Sequence, residues 1–320
     1  MMRFIYGLLL AAVMCGSVVG ESLASEISDH SEKRSLTEVE AQDLVKNSGM
    51  HLLLNGLEDL TPSVAVALSA HDGSLYLNGL NELTPEVADA LSRHNGLLEM
   101  NGVESLSDNA ANCLGQHLGG PHGGLLLNGI ETLSTEAAAG LSSCEGVLSL
   151  GGLSSGTTAV LSALSKHKGN LDLRSLAKLT TVDAEELANH EGWLTLNTST
   201  LTPEADSLLV NQQGNLWFVG ETTLTSKAAV VLAKHSGWLS HDTKTLSFDA
   251  ADKLMSHKGR LTLPRITTVT HEVATVLANH PGYLFLPQVT TLSPETVSVL
   301  CTNPRISLPR KVLQQTKQAK

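Results

Sequence analysis

Histidine carries the most versatile side-chain chemistry in this sequence, and eight of its 13 copies recur at one fixed place. Asn47, Cys144, Gln212 and Asn303 fill that place in the remaining repeats. The eight histidines each lie ten residues after a Ser or Thr: His71, His94, His117, His167, His190, His235, His257 and His280. A metal would need ring nitrogens about 2 Å from one ion, whereas equivalent helical positions in neighbouring repeats are expected about 8–10 Å apart. Since Asn, Gln and Cys substitute for His, we interpret the column as a structural ladder that bonds backbone carbonyls.

One arginine and most of the aromatic side chains form a second candidate group. Outside the N-terminal segment, six of the eight aromatic residues occupy alternate, outward-facing positions of short predicted strands, and all but Tyr76 fall between residues 193 and 285. Aromatic side chains favour strands for packing reasons alone, but that preference does not explain the crowding. Arg260 is placed to stack on Trp238 or Tyr283. The predicted ligand-binding residues are Trp193, Trp217, Trp238, Arg260, Tyr283 and Phe285.

Catalytic chemistry is not indicated. Most acidic side chains, such as Glu86 and Glu272, stand at predicted helix starts, where the helix dipole accounts for them. Ser and His recur at fixed structural places, so no Ser–His–Asp set stands out, and no Gly-rich segment has phosphate-binding spacing. The net charge of −11 disfavours a nucleic-acid partner. The sequence therefore predicts a non-enzyme without catalytic residues, cofactor or metal.

These candidate residues are positioned by an internal repeat of about 23 residues. Its most regular mark is a hydroxyl residue that recurs at spacings of 22 to 27. The twelve are Thr37, Thr61, Thr84, Ser107, Ser134, Thr157, Thr180, Thr202, Thr225, Ser247, Thr270 and Ser293. Twelve matching units identify a repeat protein, in which each unit buries its apolar face only by stacking on its neighbours.

Each unit reads as a short helix followed by a short strand. Thr84 is a typical helix N-cap, and Val87, Ala88 and Leu91 follow on one helical face. Gly96 is predicted to end the helix in a left-handed conformation. Alternating residues then predict a half-buried strand, and Asn-Gly pairs, which accept positive φ, predict the next turn.

Stacking such units predicts an α/β fold: a curved, right-handed solenoid of about twelve strand-turn-helix repeats. Neighbouring strands lie about 4.8 Å apart, whereas packed helices need about 8–10 Å. The helix side should therefore be wider, which places the parallel sheet on the concave face.

The run Leu75-x-Leu77-x-x-Leu80 resembles the strand signature of leucine-rich repeats, over residues 36–308. The chain departs from that signature because Leu80 stands where the family has an inward Asn, and Asn78 comes two positions earlier. It is similar to bacterial exported proteins with Leu-Asn-Gly-Leu repeats. The resemblance implies a non-enzymatic scaffold that recognises a peptide, protein or glycan on its concave sheet. The alternative is a purely structural envelope protein with no specific ligand.

The chain ends carry the remaining predictions. Residues 1–20 resemble a secretory signal peptide, with cleavage expected after Gly20 and Ala24 as the alternative site. Residues 21–35 are a disordered leader or N-terminal cap, and 309–320 a basic tail. Export would place the protein in the periplasm, at the outer membrane or outside the cell. Lipidation at Cys15 is disfavoured because Met14 is bulky for a lipobox. The mature chain keeps Cys113, Cys144 and Cys301, and pairing of the first two stays open. No transmembrane span is expected after signal removal.

We expect small-angle X-ray scattering of the mature chain to give the profile of one elongated, curved particle over residues 36–308. The physical reason is that units of this size contact only their sequence neighbours. A scattering profile typical of a compact globule of this mass would contradict the solenoid prediction.

Overall fold

The computed structural model describes residues 27–120, 123–197, 203–220 and 223–318, so the predicted signal segment lies outside the described residues. The chain divides into two compact units between Leu150 and Gly151. Both units are built from the same alternation of a short strand and a short helix. The α/β class and the leucine-rich-repeat-like repeat predicted from the sequence are confirmed.

The first unit contains six parallel strands that pair in chain order, β1 to β6. Its elements are β1 (Ile27–Asp29), α1 (Glu38–Asn47), β2 (His51–Leu53), α2 (Pro62–Ser69), β3 (Ser74–Tyr76), α3 (Pro85–Ser92), β4 (Leu97–Glu99), α4 (Asp108–Leu114), β5 (Gly124–Leu126), α5 (Thr135–Leu141) and β6 (Val147–Ser149). Part of the predicted leader therefore forms the first strand of this sheet.

The second unit contains strands β7 to β13, which also pair in parallel and in chain order. Its elements are α6 (Thr158–Leu164), β7 (Asn170–Asp172), α7 (Thr181–Leu187), β8 (Trp193–Asn197), α8 (Pro203–Leu209), β9 (Asn215–Val219), α9 (Ser226–Leu232), β10 (Leu239–His241), α10 (Phe248–Leu254), β11 (Leu261–Thr262), α11 (His271–Leu277), β12 (Leu284–Phe285), α12 (Pro294–Leu300), β13 (Ile306–Ser307) and α13 (Arg310–Gln318). Most of the predicted basic tail lies in α13.

Leucine and alanine from strand, turn and helix form the core of each repeat. In one repeat the strand residues Leu75 and Leu77 and the turn residue Leu80 are at most 1% exposed, and so are Ala88 and Leu91 of α3. This aliphatic core agrees with the low Phe content, four residues in the whole chain. Phe218 is the exception and is fully buried among the leucines.

Eleven of the twelve predicted N-caps begin their helices as expected. The hydroxyl oxygen of each accepts the backbone N–H three residues later, as Thr84 does from Val87 and Ser134 does from Ala137. These bonds satisfy one of the donors that a helix start leaves free. The remaining residue, Thr202, lies outside the described residues.

The prediction that a left-handed glycine ends each helix is wrong for most repeats. Of the eleven column glycines, Gly119 and Gly146 alone have positive φ, and the helix of Gly96 already ends at Arg93, which is right-handed. Glycine is needed at this place because the backbone of the preceding repeat is too close. A Cβ on Gly96 would overlap the carbonyl oxygen of Gly73, and the same overlap recurs along the column.

The Asn-Gly turns have the same steric origin, and their glycines do not take positive φ. A Cβ on Gly102 would overlap the carbonyl oxygen of Asn78. The asparagines form a ladder: Asn78 Oδ1 accepts the backbone N–H of Asn101 at 2.8 Å, and Asn101 Oδ1 accepts that of Asn128 at 2.9 Å. These asparagines thus bond the neighbouring backbone, and they stand two residues before the position at which the leucine-rich-repeat signature has its inward Asn.

The three cysteines of the described chain, Cys113, Cys144 and Cys301, are free thiols. The pairing that the sequence left open is therefore not formed. Over residues 27–120, 123–197, 203–220 and 223–318, no helix is both long enough and apolar enough to cross a membrane.

The steric role of the column glycine predicts that Gly96→Ala destabilises the protein by about 1–3 kcal/mol, because one backbone coil must move away from the next. Gly156→Ala is the matched control, since its Cβ would first meet the flexible Leu161 side chain at 3.2 Å. We expect the control to stay within about 1 kcal/mol of the parent. Urea unfolding followed by circular dichroism measures both, and equal losses for the two variants would contradict this explanation.

Candidate functional site

Two rows of side chains cover the outward face of the second unit's sheet. Strand pairing places Asn170, Trp193, Asn215, Trp238, Arg260, Tyr283 and Arg305 in the first outward row. The second outward row contains Asp172, Thr195, Trp217, Ser240, Thr262, Phe285 and Ser307. The leucines between the rows, such as Leu194 and Leu216, are fully buried. Most of the second row is also buried under its larger neighbours, so solvent reaches this face mainly at the first row and at Trp217, Phe285 and Ser307.

Four of the six predicted ligand-binding residues meet in one group, which we call the aromatic cluster: Trp193, Trp238, Arg260 and Phe285. The rings of Trp193 and Trp238 lie edge to face with their centroids 4.7 Å apart, although Asn215 occupies the strand between them. The guanidinium carbon of Arg260 lies 4.1 Å from the ring centroid of Trp238 and 4.4 Å from that of Phe285. The cation is therefore stacked on two aromatic rings.

Hydrogen bonds fix the central tryptophan of the cluster. Its backbone N–H donates to Asn215 Oδ1 at 2.9 Å, and its indole N–H donates to Thr262 Oγ1 at 2.8 Å. Two N–H groups of Trp238 are thus engaged within the sheet, and Arg260 lies over its ring. Sequence reasoning missed Asn215 and Thr262, although both lie in outward rows between aromatic residues.

Trp217 and Tyr283 lie on the same face but outside the cluster. The indole N–H of Trp217 donates to Asp242 Oδ1 at 2.9 Å, and Arg265 Nε lies 3.9 Å from the other carboxylate oxygen. Burial raises the pKa of Asp242, and the hydrogen bond from Trp217 and the charge of Arg265 partly oppose that shift. Tyr283 is 57% exposed. The sequence predicted that Arg260 stacks on Trp238 or Tyr283; it stacks on Trp238 and on Phe285, so Tyr283 is not its partner.

Tyr76 has different surroundings in the first unit. Its side chain is 5% exposed, and its hydroxyl lies 3.4 Å from His51 Nδ1. Burial, followed by the charge of Glu99, raises the pKa of Tyr76 to about 12. This tyrosine packs within its own sheet face and presents no open ring.

The predicted histidine ladder consists of buried imidazoles that are mostly stacked, while the rings of His257 and His280 are tilted by 40° to each other. Ring centroids of neighbouring members lie 6.0–6.4 Å apart in both units, for example 6.2 Å between His71 and His94. This spacing is shorter than the helix spacing assumed from sequence, because the rings follow the last helical turn and lie next to the strands. Most neighbouring rings are stacked face to face, so their in-plane nitrogens do not converge on one ion. No group of three or more His, Cys, Asp or Glu side chains suited to a metal occurs among the described residues.

Several side chains of this column bond backbone carbonyls of the preceding repeat, although neither ring nitrogen of His94 has a hydrogen-bond partner among the described residues. The His117 Nε2 atom lies 3.0 Å from the Gly96 oxygen, and Gln212 Nε2 donates to the Gly192 oxygen at 2.8 Å. An amide can therefore replace the imidazole because both supply an N–H at the same place. Cys144 has no such donor, and burial raises the pKa of its thiol to about 12.

Two ladder histidines also contact the backbone of the aromatic cluster. The Nε2 atom of His190 lies 3.2 Å from the carbonyl oxygen of Trp193, and that of His257 lies 3.2 Å from the carbonyl oxygen of Arg260. The buried ladder thus positions the backbone from which two cluster side chains project.

Burial lowers the pKa of most ladder histidines, because the imidazolium would lose its hydration. The lowered residues are His71, His94, His117, His190, His235, His257 and His280. Nearby backbone carbonyls oppose the shift, as those of Ser69, Gly73 and Leu97 do for His94.

The lowered pKa values predict that the free energy of unfolding falls as the solution becomes acidic. Above the unfolded pKa of about 6.5 both states are neutral; below it the unfolded chain binds protons that the folded chain does not. Each such histidine contributes at most about 1.4 kcal/mol per pH unit. We expect His94→Gln to reduce this slope, measured by urea unfolding between neutral and mildly acid pH.

His271→Gln is the control, because this imidazole is exposed at the start of α11 and lies outside the ladder. An unchanged slope in His94→Gln would contradict the buried, neutral ladder. Stoichiometric zinc or nickel in the purified protein that is lost in His94→Gln would mean that the histidine column is a metal site and not a structural ladder.

No family profile and no curated protein sequence matches the chain. A leucine-rich-repeat protein of Leptospira interrogans is similar in structure, with a TM-score of 0.40 and 17% identity over 82% of this chain and 72% of that one. An internalin of Listeria monocytogenes has a TM-score of 0.38 and 14% identity over 88% of this chain and 96% of that one. These are similarities only; the leucine-rich-repeat-like architecture of this chain is established by its own strand, turn and helix repeat.

Proposed function

We propose that this protein is a non-enzymatic binding scaffold that holds an extended peptide segment of a protein partner on the aromatic cluster. The observation that carries the proposal is the concentration of partly exposed Trp193, Trp238, Arg260 and Phe285 on one sheet face. Tryptophan and arginine are the residues most enriched where single side chains dominate binding energy. Rigid rings held by hydrogen bonds also lose little conformational entropy when a ligand binds.

The dimensions of the cluster fit a peptide. Its members extend from β8 to β12, which is four strand spacings or about 19 Å. An extended chain covers that distance with about six residues at roughly 3.3 Å each. Alternate side chains of such a peptide would face the rings, in the manner of other extended-peptide binders.

The same contacts favour a peptide over a glycan. A sugar binds tryptophan by placing its apolar face flat on an open ring and by hydrogen bonding around it. The guanidinium of Arg260 already covers one face of Trp238. The indole N–H groups of Trp217 and Trp238 are engaged with Asp242 and Thr262.

The second candidate function is structural reinforcement of the envelope without a specific ligand. It is favoured by the mutual packing of the cluster, since rings that bridge alternate strands also tie the repeats together. The two functions differ in what a cluster substitution removes: binding in the first case and stability alone in the second. We favour binding because five of the six outward aromatic residues lie in the second unit.

We place this function outside the cytoplasm, because residues 1–20 have the pattern of a secretory signal peptide. Protein sequencing of the secreted or periplasmic fraction should give Glu21 as the mature N-terminus. A mature protein that keeps Met1 in the cytoplasm would contradict export.

The binding face is tested with peptides selected from a displayed random library against the mature chain. All three tryptophans of the chain lie on the proposed face, so their fluorescence reports binding directly. We expect Trp193→Ala combined with Trp238→Ala to weaken the best selected peptide at least tenfold, about 1.4 kcal/mol. Trp217 remains as the reporter, and circular dichroism establishes that the variant is folded.

Phe248→Ala is the matched control, because this ring is 50% exposed on α10 and belongs to the helix side. The affinity of Phe248→Ala for the selected peptide should equal that of the parent. Full binding by the folded double variant, with loss in Phe248→Ala, would mean that the helix side is the binding surface. Selection that yields no binder, with both variants only less stable, would favour the structural function.

A further inference from the structure

We propose that Arg260 binds a carboxylate of the partner, so that the scaffold selects acidic extended peptides. This inference rests on the proposed function and adds the chemistry of the ligand to it. It predicts an Asp or Glu side chain, or a peptide C-terminus, seated at the centre of the aromatic cluster.

The ring contacts of Arg260 leave part of its guanidinium open for recognition. The ring centroids of Trp238 and Phe285 lie 4.1 and 4.4 Å from the guanidinium carbon and 6.4 Å from each other, so the two rings flank adjoining sides of the group. The N–H groups of a guanidinium point outward in its plane and match the two oxygens of a carboxylate. Because two rings contact the guanidinium, its motion is restrained before a carboxylate binds.

The guanidinium has no acidic partner of its own. No carboxylate of the described residues lies within ion-pair distance of Arg260, and its side chain makes no hydrogen bond with them. Other arginines of this unit are engaged: Arg174 pairs with Asp172, and Arg265 lies 3.9 Å from Asp242. Arg260 is therefore a partly buried cation whose hydrogen-bonding groups remain available to a ligand.

Charge along the sheet face agrees with an acidic partner. The first outward row contains two arginines, Arg260 and Arg305, and no carboxylate, although the whole chain carries a net charge of −11. In the second outward row the acidic residue is Asp172, which Arg174 neutralises. The net negative charge of the chain disfavours an acidic peptide elsewhere, whereas the two arginines attract it to this row. Such complementarity speeds association and fixes the position of the peptide along the row.

The test compares peptides selected from one displayed random library by the parent, by Arg260→Gln and by Arg305→Gln. The parent and Arg305→Gln should enrich Asp or Glu at one fixed distance from an apolar residue, and Arg260→Gln should lose that enrichment. Arg305 is the matched control, because it lies in the same row and its guanidinium bonds the Pro281 carbonyl at 2.5 Å, outside the ring stack.

The best parent peptide is then measured against its Glu→Gln or Asp→Asn version by tryptophan fluorescence. We expect this change to weaken binding about tenfold or more on the parent and less than about twofold on Arg260→Gln. Arg260→Lys keeps the charge without the planar fork and should give an intermediate loss. This variant also serves if Arg260→Gln disturbs the ring stack.

Three outcomes would overturn the inference. Selected peptides without acidic enrichment, whose binding still requires Trp193 and Trp238, would remove the carboxylate contact and leave the proposed function intact. Equal losses in Arg260→Gln and Arg305→Gln would reduce the effect to general electrostatics. Tighter, Arg260-dependent binding of an oligogalacturonate than of any acidic peptide would identify a carboxylated glycan as the ligand.

Discussion

Close approach of successive backbone coils is the constraint on which the rest of this structure depends. At the turn into each strand, the chain passes so near the previous coil that Gly96 has no space for a Cβ beside the Gly73 carbonyl. The Asn-Gly turn repeats the constraint, where Gly102 contacts Asn78. Two such contacts per repeat hold the coils at strand spacing along the sheet side. The Asn78 and Asn101 side chains then reach the next backbone N–H, because their separation suits a hydrogen bond of 2.8 Å.

Strand spacing also determines how side chains meet across the sheet. Residues on alternate strands lie about 9–10 Å apart, too far for small side chains but within reach of two large rings. Trp193 and Trp238 therefore touch above Asn215, and the guanidinium of Arg260 contacts both Trp238 and Phe285. Asn215 carries no ring, which leaves room for the two indoles to meet. Rings on alternate strands, with Asn215 and Arg260 on the strands between them, thus form the cluster, whereas the first unit has His51, Ser74 and Leu97 at these places.

Features that repeat within one unit could be predicted from the sequence. The N-caps, the buried helical face and the outward strand positions follow from spacing alone, as Thr84, Leu91 and Trp238 illustrate. Features that depend on the neighbouring coil could not. In a sequence, a glycine needed for steric clearance cannot be distinguished from one needed for positive φ. The left-handed conformation predicted for Gly96 is therefore wrong. Two features depend on how far one coil is displaced along the next. They are the spacing of about 6 Å between stacked histidine rings and the contact of Arg260 with Phe285 instead of Tyr283.

The buried ladder and the outward face share the same strand backbone. His190 Nε2 lies 3.2 Å from the Trp193 carbonyl oxygen and His257 Nε2 lies 3.2 Å from that of Arg260, so an interior imidazole lies beneath two of the four cluster residues. A neutral imidazole offers one N–H, and burial favours that neutral form. Charging the ladder would place imidazolium groups about 6 Å apart in the interior, where their repulsion is weakly screened. The conditions that keep the ladder neutral and the repeats stacked are therefore also the conditions that hold the backbone of Trp193 and Arg260 in place.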